Sequence, residues 1–463
     1  MNIFPHHRTT LWLSALGLAA AAGAGLIIGW FGVAGVLRLA ALLLIVLVLW
    51  KPELAFIASI VSMVIGQFVR LSVLGGDNGV IINDLLLPAL IVVWVWRRLS
   101  SGRWPLPRQS LTLPIMAVIG IMILSLILNS SNYTQREIFS GLLYQVRWIE
   151  YALVLVMGFD WLRTRQRAWR YVILVGGGAV AVSLLGFAQL QIFPDFSFMV
   201  PQGWDPHVGR LLSTWFDPNF LAGWLAFLIT IALATALSLP WNRARWWWLA
   251  IGIMTLAVIL TFSRSGYVAL AAGAGLVALI RSRTVFFLGL LTMVGVVLFI
   301  PRVQERVIGI RTVDETARLR IISWQNAFTV IHDHPLLGVG YNLYRYVQVD
   351  YGFLTDTKEH SASGSDSSLL TMWVTTGILG LLAYLWLFIA MLREAWRTWR
   401  DRALPPEWRG FGLGLLAALI GLLVHAQFVN SLFYPHIMQT VWIFLAAAIM
   451  VRHSSPQVVR QSR

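Results

Sequence analysis

Residues 219–300 read NFLAGWLAFLITIALATALSLPWNRARWWWLAIGIMTLAVILTFSRSGYVALAAGAGLVALIRSRTVFFLGLLTMVGVVLFI. Four apolar runs, 219–239, 246–262, 265–280 and 284–300, are separated by short breaks that carry arginine. Each run approaches the roughly 20 apolar residues a helix needs to cross a hydrocarbon core. The stretch therefore predicts consecutive membrane helices joined by tight turns. Working outward, the same reading places candidate spans at 11–30, 33–50, 53–74, 79–96, 112–128, 143–159, 170–192, 368–390, 410–430 and 435–451. The total is about fourteen, or twelve if short pairs are re-entrant. The fold class expected is all-α, a polytopic transmembrane helical bundle.

Composition agrees. Of 463 residues, 58% are hydrophobic and 12% charged, and the mean hydropathy is +0.74. A soluble chain would be about 25% charged. The 23 tryptophans suit a chain with two membrane–water interfaces. With no cysteine, disulfide and thiolate chemistry are excluded. The net charge of +15 does not imply nucleic acid, because the arginines are scattered between apolar runs rather than gathered on one soluble face. The N-terminal apolar run reads as a first span rather than a cleaved signal.

Alternate connections carry Arg8, Lys51, Arg97, Arg98, Arg103, Arg108, Arg163, Arg165, Arg167, Arg170, Arg243, Arg245, Arg281, Arg283, then Arg393 to Arg409, and Arg452, Arg460 and Arg463. The positive-inside rule puts these, and both termini, in the cytoplasm. The polar stretch 301–367 then faces outward, dividing the chain into an N-terminal bundle (1–300), an outer loop (301–367) and C-terminal helices with a short tail (368–463). Arg38 falls within a span. Arg70, Arg136, Arg147, Arg210, Arg264, Arg302, Arg306, Arg311, Arg318, Arg320, Arg345 and Lys358 fall on the outer side, against the insertion bias. An anionic substrate is the simplest reason to keep cations there.

Four stretches carry the candidate chemistry. In 208–227, VGRLLSTWFDPNFLAGWLAF, Asp217-Pro218-Asn219 opens a helix, either as a plain cap or as an anion site shared with Arg210. In 260–273, LTFSRSGYVALAAG, Arg264 sits in a tight turn between apolar runs; it either snorkels or offers its planar fork to phosphate oxygens. In 314–347, Leu319, Ile322, Ala327, Phe328, Val330 and Ile331 recur near helical spacing. That pattern predicts an amphipathic helix on the outer leaflet, with Asp314 as cap, Trp324 at the interface and Pro335 to Gly340 as its end; Arg318 and Arg320 either bind headgroups or a substrate. In 354–388, Glu359, His360 and Asp366 lead into the next span. Asp366, with Ser367 and Ser368, could cap it, or a carboxylate or histidine there could serve as general base. His332, His334 and His360 have no usual zinc-ligand spacing.

Taken in order, GRLLSTWFDPNFLA, TFSRSGYVAL, RLRIISWQNAFTVIHDHPLLGVGYNLY and DSSLLTMWVTTGILGLL resemble the bacterial O-antigen ligase and polymerase superfamily, membrane glycosyltransferases of the GT-C type. The likeness spans about residues 205–390. It implies transfer of a glycan from an undecaprenyl-pyrophosphate carrier, at the periplasmic or extracellular face of a bacterial plasma membrane, to a sugar hydroxyl. The acceptor is lipid A core in ligases and a carrier-linked repeat in polymerases. The family's essential arginines map onto Arg264 and Arg320, with Arg210 third and Arg318 beside them. Asp366 and His360 become the catalytic candidates; Glu359, Asp217 and Trp324 would position the acceptor. No cofactor is implied, although Asp217, Glu359 and Asp366 leave a divalent ion open. Ligases carry His, then Asn, Ser or Gln, nine residues and Gly-x-x-Gly; this chain has Asp366-Ser367 and Gly377-Ile378-Leu379-Gly380 in that register. The change from histidine favours polymerase, with ligase as the alternative. A lipid-linked oligosaccharide flippase is the rival from another class. Partners would be the lipid-linked glycan, an acceptor glycan and membrane lipid, not nucleic acid.

Overall fold

The computed structural model describes residues 46, 48–68, 70–72, 79–102, 109–202, 206–305, 315–356 and 364–453. The candidate span 11–30, most of 33–50 and the tail beyond His453 lie outside them. The described helices are α1 (Pro52–Ile65), α2 (Ile82–Ser100), α3 (Thr112–Asn129), α4 (Gln135–Trp161), α5 (Arg165–Ile192), α6 (Pro218–Ala236), α7 (Trp241–Thr261), α8 (Arg264–Arg281) and α9 (Arg283–Phe299). They continue with α10 (Glu315–Asp333), α11 (Tyr344–Asp350), α12 (Ser368–Arg400), α13 (Pro406–His425) and α14 (Pro435–His453). A short antiparallel pair, β1 (Arg70–Ser72) and β2 (Gly79–Ile81), joins α1 to α2. Among the described residues, eight helices are long and apolar enough to cross a membrane, namely α3 to α7 and α12 to α14. The protein is an all-α, multi-pass membrane bundle.

The helices alternate in direction. The first residues of α6 and α8 share an end with the last residue of α13, and that end is called the upper end below. Arg97 and Arg98, Arg163 to Arg170, Arg243, Arg245, Arg281, Arg283, Arg397 and Arg452 gather at the lower end, as the charge pattern of the short connections predicts. The stretch between α9 and α12 lies at the upper end and holds α10 and α11.

α6 and α14 form the centre. Of their apolar windows, 89% and 83% are buried, against 28% for α3 and α7, which face outward. α6 is apolar on all sides (LAGWLAFLITIALATA), the pattern of a fully enclosed helix. Small residues let α6, α8 and α13 approach closely, as in other membrane helix pairs. A Cβ on Gly266 would come within 2.4 Å of Ala222, and one on Gly421 within 2.7 Å of the Ala269 carbonyl.

α10 departs from the expected leaflet helix. Ala327, Val330 and Ile331 are buried against Val339, Tyr344, Val347 and Val374, while Leu319 and Phe328 remain exposed. One apolar stripe thus docks on α12, with the exposed Phe328 meeting Trp373 of α12 at its edge, 6.1 Å between ring centres, while Leu319 faces away. Tyr351 donates to Asp333 at 2.7 Å and holds this exposed carboxyl below its usual range, tying the end of α10 to the end of α11.

α12 is broken where the sequence has Gly-x-x-Gly. Gly377 has φ 65°, and a Cβ there would meet the Leu336 backbone at 2.1 Å. The Ile378 amide, freed by the break, donates to the Pro335 carbonyl at 2.9 Å. The residues after α10 therefore thread into the kink of α12, and the glycine is required by that close approach.

Candidate functional site

At the upper end, three segments converge on Asn219. Asp217 caps α6, accepting from the Asn219 and Phe220 amides at 2.7 and 3.1 Å. The Asn219 side-chain oxygen accepts from Ser263 Oγ at 2.8 Å and from Arg210 Nη2 at 3.4 Å. Arg210 Nε also donates to the Thr261 carbonyl at 2.8 Å, and the backbone beside it is pinned by the Leu211 amide on Leu260 O. Ser263 caps α8 and meets Ser265 Oγ at 3.1 Å. Arg264 is the first residue of α8, following Phe262 in the left-handed region. Arg210, Arg264 and the N-termini of two helices are thus brought to one place, where backbone N–H groups and guanidinium groups both favour an anion.

The Ser-Arg-Ser sequence explains this locally. Ser263 does the capping, the left-handed Phe262 turns the chain sharply, and Arg264 emerges half-buried between the two apolar helices. It lies 17 residues from Arg281 at the lower end, roughly 26 Å at about 1.5 Å per residue, close to one hydrocarbon thickness.

Arg320 reaches the same region from α10. It lies within electrostatic reach of His425, and one turn on, Trp324 packs at 6.2 Å from Phe428. His425 ends α13, is fully buried, and sits over Gly223, where a Cβ would come within 2.5 Å of its ring. Arg318, two residues before Arg320, is exposed and paired instead with Glu315 at 2.7 Å. That bond holds the Glu315 carboxyl below its usual range.

The mouth of α12 adjoins this cluster. The Ser368 amide donates to the Ala426 carbonyl at 2.8 Å, next to His425, and Thr371 donates to Asn430 at 2.9 Å. The cap of α12 is Ser367, which accepts from the Leu370 amide. Asp366 is not the cap: it precedes Ser367, is exposed and has φ 54°. Left-handed non-glycine residues of this kind are uncommon. Glu359 and His360 lie outside the described residues. Below the cluster, Phe220 stacks on Tyr434 at 4.2 Å, and Trp215 packs against Trp224 and His436.

Residues 249–385 match the O-antigen ligase family model. The match, over less than a third of the chain, supports a likeness to the O-antigen ligase/polymerase superfamily. No curated protein matches the chain. The matched segment holds Arg264, Arg318, Arg320, Trp324, Asp366 and the Gly377 kink. Arg210, Asp217 and Asn219 precede it, and His425, Asn430 and Tyr434 follow it. Sequence reasoning missed Asn219 as the hub and His425 as the buried neighbour. The first signal stood in Asp-Pro-Asn, read only as a cap; the second stood in VHAQFVNSLFYPH, a polar break between the last two spans.

Proposed function

We propose that the protein transfers a glycan from undecaprenyl pyrophosphate to a sugar hydroxyl at the outer face of the plasma membrane, and that it acts as a surface-polysaccharide polymerase. The observation that supports this is the gathering of Arg210 and Arg264 beside Asn219, with Arg320 within electrostatic reach of the neighbouring His425, at the end opposite the basic connections. If those connections are cytoplasmic, as charge bias requires, the cluster opens outward, where a lipid carrier presents its pyrophosphate.

The chemistry follows from the charges. The acceptor oxygen attacks the anomeric carbon from the face opposite the leaving group, a new C–O bond forms, and the bond from C1 to the phosphate oxygen breaks with inversion. The hydroxyl proton passes to the Asp366 carboxylate, and undecaprenyl pyrophosphate departs with the bonding pair. Negative charge on the departing oxygen grows in the transition state. Fixed guanidiniums and helix N-termini aimed there lower the barrier more than they tighten the ground state. Asp217 and Ser263 hold the two helix ends in place, and Asn219 aligns Arg210 beside them. The aspartate that stands where ligases have histidine supports polymerase over ligase.

Purified protein in liposomes, supplied with undecaprenyl-pyrophosphate-linked oligosaccharide, tests the reading. Lengthened lipid-linked chains are expected. Transfer only to added lipid A core would make it a ligase, and translocation without a new glycosidic bond would overturn the enzyme reading.

A further inference from the structure

A second polar cluster lies in the half of the bundle that the arginine site does not use. On α4, Tyr144, Arg147 and Trp148 fall three and four residues apart and share one face. Arg147 pairs with Asp84 of α2 at 2.6 Å. Its guanidinium lies 5.1 Å from the centre of the Tyr144 ring, and that of Arg345, on α11, lies 6.0 Å from the same ring. Tyr144 and Arg345 are half-buried. Arg147 lies 13 residues, roughly 20 Å, above Asp160 at the lower end, within the thickness of a bilayer.

Two buried polar atoms here have no hydrogen-bond partner among the described residues: an acceptor, Asp84 Oδ1, and a donor, Trp148 Nε1. The Asp84 side chain is 9% exposed and Trp148 2%. A buried polar atom left unsatisfied is costly, so the Asp84 oxygen of the Arg147 bridge calls for a ligand or water. Sugar hydroxyls both donate and accept, and so can supply a donor to an orphaned carboxylate oxygen or an acceptor to an orphaned indole N–H. The aromatic face and two guanidiniums around Tyr144 suit the rest of a sugar ring: apolar C–H groups on one side, ring and hydroxyl oxygens at the edge. A simple anion is a poorer fit, because Asp84 and the buried Glu150, one turn below Arg147, offset the two arginines.

The cluster is also placed for the reaction. Consecutive residues divide it from the arginine site. Tyr434 stacks on Phe220 beside Asn219, whereas Phe433 packs on Tyr341 and Tyr384, and the Tyr341 carbonyl lies against Gly141, one turn above Tyr144. We propose that the Tyr144 face of α4, with Asp84 and Arg345, is a second carbohydrate subsite. It takes a sugar residue of the acceptor, one aromatic partition away from the donor pyrophosphate. The assignment rests on the glycosyl-transfer reading above.

The test uses two substrates that can be varied separately: undecaprenyl-pyrophosphate-linked oligosaccharide as donor, and the same oligosaccharide released from its carrier as soluble acceptor. Arg345→Gln and Tyr144→Leu should each raise the acceptor KM at least tenfold, while kcat changes less than threefold and the donor KM less than twofold. An acceptor KM within twofold of wild type in both variants overturns the subsite and leaves the enzyme reading standing. No transfer by the wild-type protein, with either acceptor, overturns the reading on which the subsite rests. Should a variant fail to fold, hydrogen exchange on the wild type decides. The soluble oligosaccharide should slow exchange in residues 141–151 and 341–347; unchanged exchange there overturns the subsite.

Discussion

The two ends of the bundle both carry arginines, but hold them by different chemistry. At the lower end the partners are carboxylates. Glu394, 1% exposed, accepts from Ser110 at 2.8 Å, from Arg397 at 2.7 Å and from Arg452. Asp160 takes Arg98 at 3.4 Å, Arg163 at 3.1 Å and the Trp94 indole at 2.8 Å. At the upper end, carbonyl oxygens are prominent. Arg210 meets those of Thr261 and Asn219, while Arg302 meets those of Val208 and Gly209 and lies 4.4 Å from the centre of the Phe262 ring. A carboxylate cancels an arginine's charge, whereas a carbonyl orients the guanidinium without cancelling it. Residue type alone does not separate a structural arginine from a ligand-binding one.

The sharpest break of this contrast is Asp366→Asn. If the carboxylate accepts the acceptor proton, transfer should fall about 10²- to 10⁴-fold with thermal stability unchanged, because Ser367 already caps α12. Turnover within twofold of wild type in the liposome assay would leave Asp366 no catalytic part. Glu394→Ala should do the opposite. Removing one partner of a buried pair costs about 3–5 kcal/mol, read as a lower midpoint of thermal aggregation in detergent, while turnover per folded molecule stays within threefold. A large fall in turnover at unchanged stability would erase the distinction between the two ends.

Arg264→Ala comes next. Loss of one preorganised donor to a developing oxyanion costs about 10²- to 10³-fold, and Arg264→Lys should recover part of it, since a point charge lacks the bidentate fork. The sequence singles this residue out because its break is so short: a charge between two apolar runs has few places to go. Eight of the expected spans and the gathering of basic connections at one end were legible for the same reason, as hydropathy and charge bias are local properties. The hub was not legible. Asn219, Ser263, His425 and Asn430 are ordinary polar residues whose meeting depends on how α6, α8, α12 and α13 pack, and no spacing along the chain encodes that. The Gly-x-x-Gly motif shows the same limit. Its residues were in view, but the reason for Gly377, a neighbouring backbone threaded into the kink, exists only in three dimensions. For α10 the helical period was correct, yet it could not say which apolar stripe docks on protein.

The smallest expected effect tests the contrast within a single helix. Arg318 and Arg320 were read together as pyrophosphate ligands, but α10 turns them differently. Arg318 is exposed and paired with Glu315, while Arg320 is half-buried within electrostatic reach of His425. An exposed pair of this kind contributes about 0–1 kcal/mol, so Arg318→Ala should shift stability barely and leave transfer within twofold. Arg320→Ala, two residues along, should reduce transfer by at least tenfold. Measured side by side at low and at physiological salt, the pair separates two kinds of cation. An effect of Arg318 arising only from general attraction to anionic lipid would fade with salt, since the Debye length shrinks to about 8 Å at 0.15 M. The effect of a half-buried Arg320 on a bound pyrophosphate would persist. Equal losses for both variants at both salt concentrations would mean that the whole polar face of α10 engages the substrate, and the site would have to be redrawn to include it.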